Sequence, residues 1–251
     1  MKRSLIAAAL FATTAFANAA DVPAAAADTT IVLVHGAFAD GSSWDKVIPL
    51  LHAKGYKVVA VQNPLSSLAD DVAATKRVVD AQTGKVVLVG HSWGGTVITE
   101  AGTSDKIKAL VYVAAFAPSE GEASGNLGKD YAVPPGVPTL QQDATGYLWL
   151  PADSVAKNFA QDVPAATART IAATQGPIAA KAFADTTTVA AWKNKANYYI
   201  VADQDRMIAP ELQQAFAKKI NAVTTTLPTS HVPMVSQPAK VADVIIAAAR
   251  R

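Results

Sequence analysis

The segment Lys85-Val86-Val87-Leu88-Val89-Gly90-His91-Ser92-Trp93-Gly94-Gly95-Thr96-Val97-Ile98 constrains this chain more than any other. A run of β-branched and aliphatic residues meets a Gly-x-Ser-x-Gly turn and passes directly into an apolar, helix-capable stretch. That is the strand, sharp turn and helix context of a nucleophile elbow, which presents a serine at the end of a sheet strand. A turn so tight strains the serine backbone, and glycine neighbours let strand and helix approach without clashing β-carbons. Ser92 is therefore the candidate nucleophile. In isolation the pentapeptide also fits a glycine-rich loop with a capping serine; the strand before it and the helix after it favour the elbow.

The rest of the chain supplies the setting. With 251 residues, 51% hydrophobic and 17% charged, the composition suits one compact α/β domain with a well-filled core. Net charge is +2 with Lys and Arg scattered, so nothing suggests a phosphate-tracking surface or a nucleic-acid partner. The absence of cysteine excludes a thiol nucleophile, a disulfide framework and a thiolate metal site. Lys2 and Arg3 precede an apolar run from Leu5 to Phe16 and the small residues Ala17-Asn18-Ala19, the pattern of a secretory signal peptide over residues 1–20 cleaved after Ala19 or Ala20. The expected mature protein is exported, periplasmic or secreted, with no later stretch reaching the roughly 20 apolar residues of a membrane span. Alanine-rich residues 21–28 read as a flexible leader.

From residue 29 to 251 the pattern alternates strands and helices. Strands are expected at Thr30 to Val34, Lys57 to Val61, Lys85 to Val89, Ala109 to Ala114, Asn197 to Ala202 and Val223 to Leu227. Helices are expected at Trp44 to Lys54, Leu68 to Ala81, Gly95 to Ala101, Pro210 to Ile220 and Ala239 to Ala249. Such repeats imply a mostly parallel sheet with helices on both faces. From about 118 to 195 the alternation breaks into a stretch rich in proline and aromatics. This reads as a small cap insertion over the C-terminal edge of the sheet, where open α/β folds bind ligands.

A serine hydroxyl needs a base and a carboxylate to orient that base. Of the four histidines, His52 sits on an amphipathic helix, His91 adjoins Ser92 and suits support of the turn, and His35 lies in the exit loop of the first strand. His231, on the loop after the last strand, is the remaining candidate base. The acid is expected to leave the preceding strand, where Asp203 and Asp205 both stand and spacing does not choose between them. Backbone N–H groups serve as oxyanion donors: one from Trp93, the residue after the nucleophile, and one from Ala37, with Phe38 as the second choice.

Taken in series, His35-Gly36-Ala37, Gly90-His91-Ser92-Trp93-Gly94-Gly95, Val113-Ala114-Ala115-Phe116-Ala117-Pro118, Asp205-Arg206-Met207-Ile208-Ala209-Pro210 and His231 resemble the α/β-hydrolase superfamily. More closely they resemble its branch of plant methylesterases, hydroxynitrile lyases and related bacterial esterases. In that branch the acid loop reads Gly-x-x-Asp, which aligns with Ala202-Asp203-Gln204-Asp205 and implies Asp205, although Ala202 replaces the glycine. The lyases of the branch carry a threonine where this chain has Gly36 and a lysine where it has Val232.

The resemblance and the residues together imply a serine carboxylesterase acting on a small to medium apolar ester through an acyl-enzyme, with no metal or cofactor. The substrate pocket is expected to draw on Phe38, Trp93, Tyr131, Tyr147, Leu148, Trp149, Phe159 and Phe183. The alternatives are a non-catalytic ligand-binding protein on the same fold, and hydroxynitrile lyase or lactonase-type chemistry with the same three residues.

Overall fold

The computed structural model describes Ala26 and residues 28–251. The expected signal peptide and most of the expected leader lie outside the described residues. Among the described residues there are nine strands: β1 (Thr29–Val34), β2 (Lys57–Val61), β3 (Lys85–His91), β4 (Ile107–Val113), β5 (Gln141–Gln142), β6 (Tyr147–Trp149), β7 (Ile178–Ala179), β8 (Ala196–Ala202) and β9 (Val223–Leu227). Six form one sheet in the order β2-β1-β3-β4-β8-β9, and every neighbouring pair is parallel. All six residues of β1 are buried, as are all of β3 after Lys85. That explains why these strands read as continuous apolar runs: both faces are covered by helices.

The covering helices follow from their apolar periodicity. Leu68–Asp80 buries Leu68, Val72 and Val79, starts on the Ser67 side chain, which accepts the Asp70 N–H at 3.1 Å, and carries Asp70 and Asp71 in its first turn. Both features stabilise a helix N-terminus. This helix packs on Trp93–Ala101, while Pro238–Ala249 packs on β4, β8 and the short helix Ile48–His52. The sequence pattern suggested one helix from Trp44 to Lys54. The structure instead has a 3-10 turn at Gly41–Trp44 and an α-helix only at Ile48–His52, because Pro49 lacks the N–H a helix interior requires and is tolerated in a first turn.

Strand order fixes where the chemistry sits. From β1 the chain moves to β2 on one side, whereas β3 lies on the other. The C-terminal ends of β1 and β3 therefore flank the topological switch, the crevice where such sheets bind ligands. Between β4 and β8 the chain makes the helix Ala165–Thr174, several short helical turns and a three-stranded antiparallel sheet in the order β5-β6-β7. The sheet was not legible in the sequence, since strands of two or three residues are too short to show alternation. This region is fastened to the loops after β8 and β9: Gly136 N–H donates to Arg206 at 2.8 Å, the Gln161 amide to the Gln204 carbonyl at 2.7 Å, and Ser230 N–H to Asp162 at 2.8 Å. Among the described residues no helix is long and apolar enough to cross a membrane.

The exit of β4 is held by one side chain. Ala114 has φ 45°, a left-handed conformation unfavourable for alanine. The buried Tyr199 hydroxyl accepts the Ala115 N–H at 3.1 Å and donates to the Ala115 carbonyl. Phe116 N–H then reaches the Ser92 carbonyl at 3.2 Å, so this clamp lies one step from the candidate nucleophile. Tyr199→Phe is expected to leave two buried backbone groups unpaired and to lower the unfolding free energy by about 2 to 4 kcal/mol, measured by urea denaturation at pH 7.

Candidate active site

Ser92 occupies the step between β3 and the helix Trp93–Ala101 with φ 54° and ψ −120°, well outside the regions an L-residue prefers. Three contacts hold it there: its N–H donates to the Val113 carbonyl at 3.2 Å, and its own carbonyl accepts from Gly95 at 3.0 Å and Phe116 at 3.2 Å. A β-carbon on Gly94 would lie 2.6 Å from the Val34 carbonyl oxygen, and one on Gly36 would lie 2.6 Å from the Ser92 β-carbon. The exit loop of β1 is thus pressed directly against the serine, which only glycine permits.

His231 is 1% exposed and Asp205 5%, yet both polar groups are satisfied. His231 Nδ1–H donates to Asp205 Oδ2 at 2.6 Å, which directs the lone pair to the other ring nitrogen, the tautomer a general base needs. Asp205 accepts three more bonds: from Met207 N–H at 2.7 Å and Ile208 N–H at 3.1 Å on Oδ1, and from the Gln213 amide at 2.7 Å on Oδ2. Asp203, the other acid of the loop, is exposed. The structure therefore brings Asp205, and not Asp203, to His231.

The remaining histidines have other partners. His91 is fully buried, donates from Nε2 to the His231 carbonyl at 2.8 Å, and stacks tilted at 4.8 Å between ring centroids. Burial above all, then the neighbouring His231, holds its pKa well below the usual histidine range, so it supports His231 as a neutral ring. His35 Nδ1–H donates to the Gly36 carbonyl at 2.9 Å and Nε2 accepts the Asn63 N–H at 2.9 Å. Burial lowers its pKa too. His52 is exposed and bonds the Tyr56 carbonyl at 3.1 Å.

For the oxyanion donors, the structure distinguishes the two residues after Gly36. Phe38 N–H donates to the Gly176 carbonyl at 3.1 Å and is committed there, which leaves Ala37 as the donor candidate on this loop. Trp93 is the first residue of its helix, where a backbone N–H has no intrahelical acceptor.

The aromatics expected around a pocket divide into groups. Phe159 meets His231 edge-on at 5.1 Å, His91 at 6.4 Å and Phe38 at 6.5 Å, so it covers the candidate base from the cap side. Trp93 is fully buried, its ring centroid 5.3 Å from that of Phe183; its indole faces protein, not solvent. Tyr131 and Leu148 pack on the core from partly buried positions. Tyr147 and Trp149 share β6 with Leu148, and Trp149 is exposed. Beside Phe159 and Val232, between the Asp40 to Lys46 loop and the helix Ala165–Thr174, lies a cavity of about 90 Å³ whose lining mixes Ile171 and Val235 with polar groups such as Asp40, Lys46 and Thr170.

Two functional neighbours escaped sequence reading. Gln213 donates to Asp205 and to the Ile208 carbonyl at 3.0 Å and accepts the Ala202 N–H at 2.9 Å. Asp71 accepts the Trp93 indole N–H at 2.7 Å. Both stand on helix faces, where a polar residue at a buried position of the apolar stripe was the available signal.

A family model described as "Alpha/beta hydrolase family" matches residues 31–244. A probable hydrolase from Phoma sp. is 28% identical over 239 residues, covering 86% of this chain and 96% of that protein. Methylesterase 2 of Arabidopsis thaliana is 37% identical over 107 residues, 35% of this chain and 39% of that one. Among solved structures, polyneuridine aldehyde esterase superposes with a TM-score of 0.76 at 20% identity, covering 88% of this chain and 98% of that one, a likeness of fold.

Gln213→Leu removes the amide that joins Asp205, Ile208 and Ala202. It is expected to destabilise the fold by about 2 to 4 kcal/mol through unsatisfied buried groups, measured as a lower urea midpoint.

Proposed function

Starting from the fact that the chain belongs to the alpha/beta hydrolase family, we propose that it is a serine carboxylesterase in which Ser92, His231 and Asp205 form the catalytic set. The observation that carries this reading is the buried 2.6 Å bond from His231 Nδ1–H to Asp205, on loops at the sheet end from which Ser92 emerges. In the proposed reaction the Ser92 oxygen attacks the ester carbonyl carbon while its proton passes to the free ring nitrogen of His231. The resulting oxyanion accepts from the Ala37 and Trp93 N–H groups. Collapse breaks the bond to the alcohol, which leaves with the proton from His231. Water then attacks the acyl carbon, gives a proton to His231, and the carboxylic acid departs as Ser92 regains its hydrogen. Asp205 holds the imidazole and stabilises its charged form without taking a proton.

Esters of small to medium, fairly apolar acids suit the site, because Phe159 lies against the His231 ring and Phe38 against Phe159. Two observations favour hydrolysis over cyanohydrin cleavage. Val232 is buried and uncharged where the lyases of the branch have a lysine for the departing cyanide. At Gly36, any β-carbon would meet Ser92 at 2.6 Å, so the lyase threonine has no room here.

A fluorophosphonate probe is expected to add its mass to the wild-type protein and not to Ser92→Ala. Asp205→Asn is expected to lower kcat by about ten-thousand-fold, while Asp203→Asn stays within roughly two-fold as an exposed substitution. Labelling of Ser92→Ala, or a larger loss at Asp203, overturns the assignment.

In a panel of aryl esters of graded chain length, methyl esters, lactones and a cyanohydrin, the highest kcat/KM is expected for the shorter esters. Cyanide release without ester hydrolysis contradicts the proposed chemistry.

A further inference from the structure

A buried acid outside the proposed catalytic set bonds the side chain of the residue that follows Ser92. Asp71, in the first turn of the helix Leu68–Asp80, is 0% exposed. One oxygen accepts the Trp93 indole N–H at 2.7 Å and the other accepts the Leu65 backbone N–H at 2.7 Å. Trp93 follows Ser92, and its own backbone N–H is an oxyanion donor in the proposed reaction. Leu65 is held at φ 58°, and its carbonyl accepts the Ala179 N–H of β7 at 2.8 Å.

The second oxyanion donor depends on the same stretch of cap. Gly176, three residues before Ala179, accepts the N–H of Phe38, the residue after Ala37. A β-carbon on Gly176 would lie 2.8 Å from Leu65 Cδ1 and 3.1 Å from the Ala39 carbonyl oxygen, so this segment is wedged between the two loops. Phe183, four residues beyond Ala179, meets the Trp93 ring at 5.3 Å. Residues 176–183 therefore touch both donor-bearing segments, and Asp71 is the polar group joining Trp93 to the Leu65 loop on which Ala179 of that segment also hydrogen-bonds.

We propose that Asp71 is a positioning residue for the oxyanion site, its carboxylate locking the Trp93 indole to the Leu65 loop so that the Trp93 backbone N–H is held aimed at the reacting centre. This rests on the serine-esterase reading. An ionised carboxylate is required for the lock, because each oxygen already faces a donor and an added proton would displace one of them. Burial pushes the Asp71 carboxyl up to about 6, opposed by its two hydrogen bonds and reinforced by the neighbouring Asp70 charge; it is ionised at the slightly alkaline pH of an esterase assay. The Trp93 side chain thus acts as a lever on its own backbone, and the lever is anchored by a charge-assisted hydrogen bond.

The test uses the full protein at pH 8 with a short-chain aryl ester, in wild type, Trp93→Phe, Asp71→Asn and the double variant. Trp93→Phe deletes the indole donor and keeps a ring; Asp71→Asn turns an amide NH2 toward one of the two donors. Each single change is expected to lower kcat by about 10- to 100-fold with KM within about two-fold, less than the loss of an oxyanion donor outright and confined to the transition state. In the double variant the kcat loss is expected to match the larger single loss, because both act through one bond. Unchanged kcat with a lower melting temperature, a change confined to KM, or losses that multiply would overturn the role. Should Asp71→Asn fail to fold, Trp93→Phe alone decides by the same kcat and KM readout. Wild-type protein that neither hydrolyses the ester nor takes the fluorophosphonate label refutes the esterase reading itself, whereas an active wild type with undiminished kcat in Trp93→Phe refutes the Asp71 role alone.

Discussion

The close approach of three backbones at Ser92 is the constraint on which the rest of the structure depends. The serine sits at φ 54° and ψ −120°, between a strand that has just ended and a helix that has just begun. The exit of β1 presses on one side and the exit of β4 on the other. Such a conformation persists only where the surroundings over-determine it. Here they do so through paired neighbours: Val113, Gly95 and Phe116 take every backbone hydrogen bond of Ser92, and Tyr199 in turn clamps Ala115. Glycine at 36 and 94 is the steric condition for the arrangement, because a β-carbon at either would strike backbone or the serine itself.

Around that point Asp205 and the ring nitrogen of His231 that faces it are buried and paired, whereas Nδ1 of the neighbouring His91 has no hydrogen-bond partner among the described residues. Asp205 is enclosed and receives four donors, one of them His231. His91 lies beneath His231 and bonds its carbonyl, so the imidazole is fixed at its ring by the acid and at its backbone by a second, neutral histidine. From above, Phe159 of the cap closes on the same ring. The segment between β4 and β8 is tied to the same place, since its hydrogen bonds run to Arg206, Gln204 and Ser230, residues flanking Asp205 and His231. Packing of the insertion and geometry of the site are therefore coupled, as expected where a ligand must be enclosed by the segment that orients the reacting groups.

Much of this was legible in the residues. The alternation of apolar strands with amphipathic helices, the family resemblance and the elbow all rest on local signals: side-chain periodicity, glycine placement and helix stops. Where local chemistry competed, the reading slipped. Pro49 cut the expected helix from Trp44 to Lys54 down to Ile48–His52, and the tiny β5-β6-β7 sheet left no period to read. Trp93, read as a pocket residue as well as a backbone donor, turns its indole into the protein toward Asp71, a partner 22 residues away that no spacing rule connects.

The sequence by itself determined the elbow at Ser92, the order of strands and helices and the short set of histidines and acids from which a base and its partner must come. Each of these follows from neighbours along the chain, whose spacing fixes strand, turn and helix. The tertiary structure set Asp205, which the family resemblance had implied over Asp203, beside His231, committed the Phe38 N–H to Gly176 and so left Ala37, the first choice from the sequence, as the donor candidate of its loop, and it alone revealed Gln213 and Asp71 as neighbours of the site. Those choices depend on which strand ends lie side by side and on which polar groups burial forces into partnership. Both are settled by packing among distant segments, where the cost of an unpaired buried group selects one arrangement.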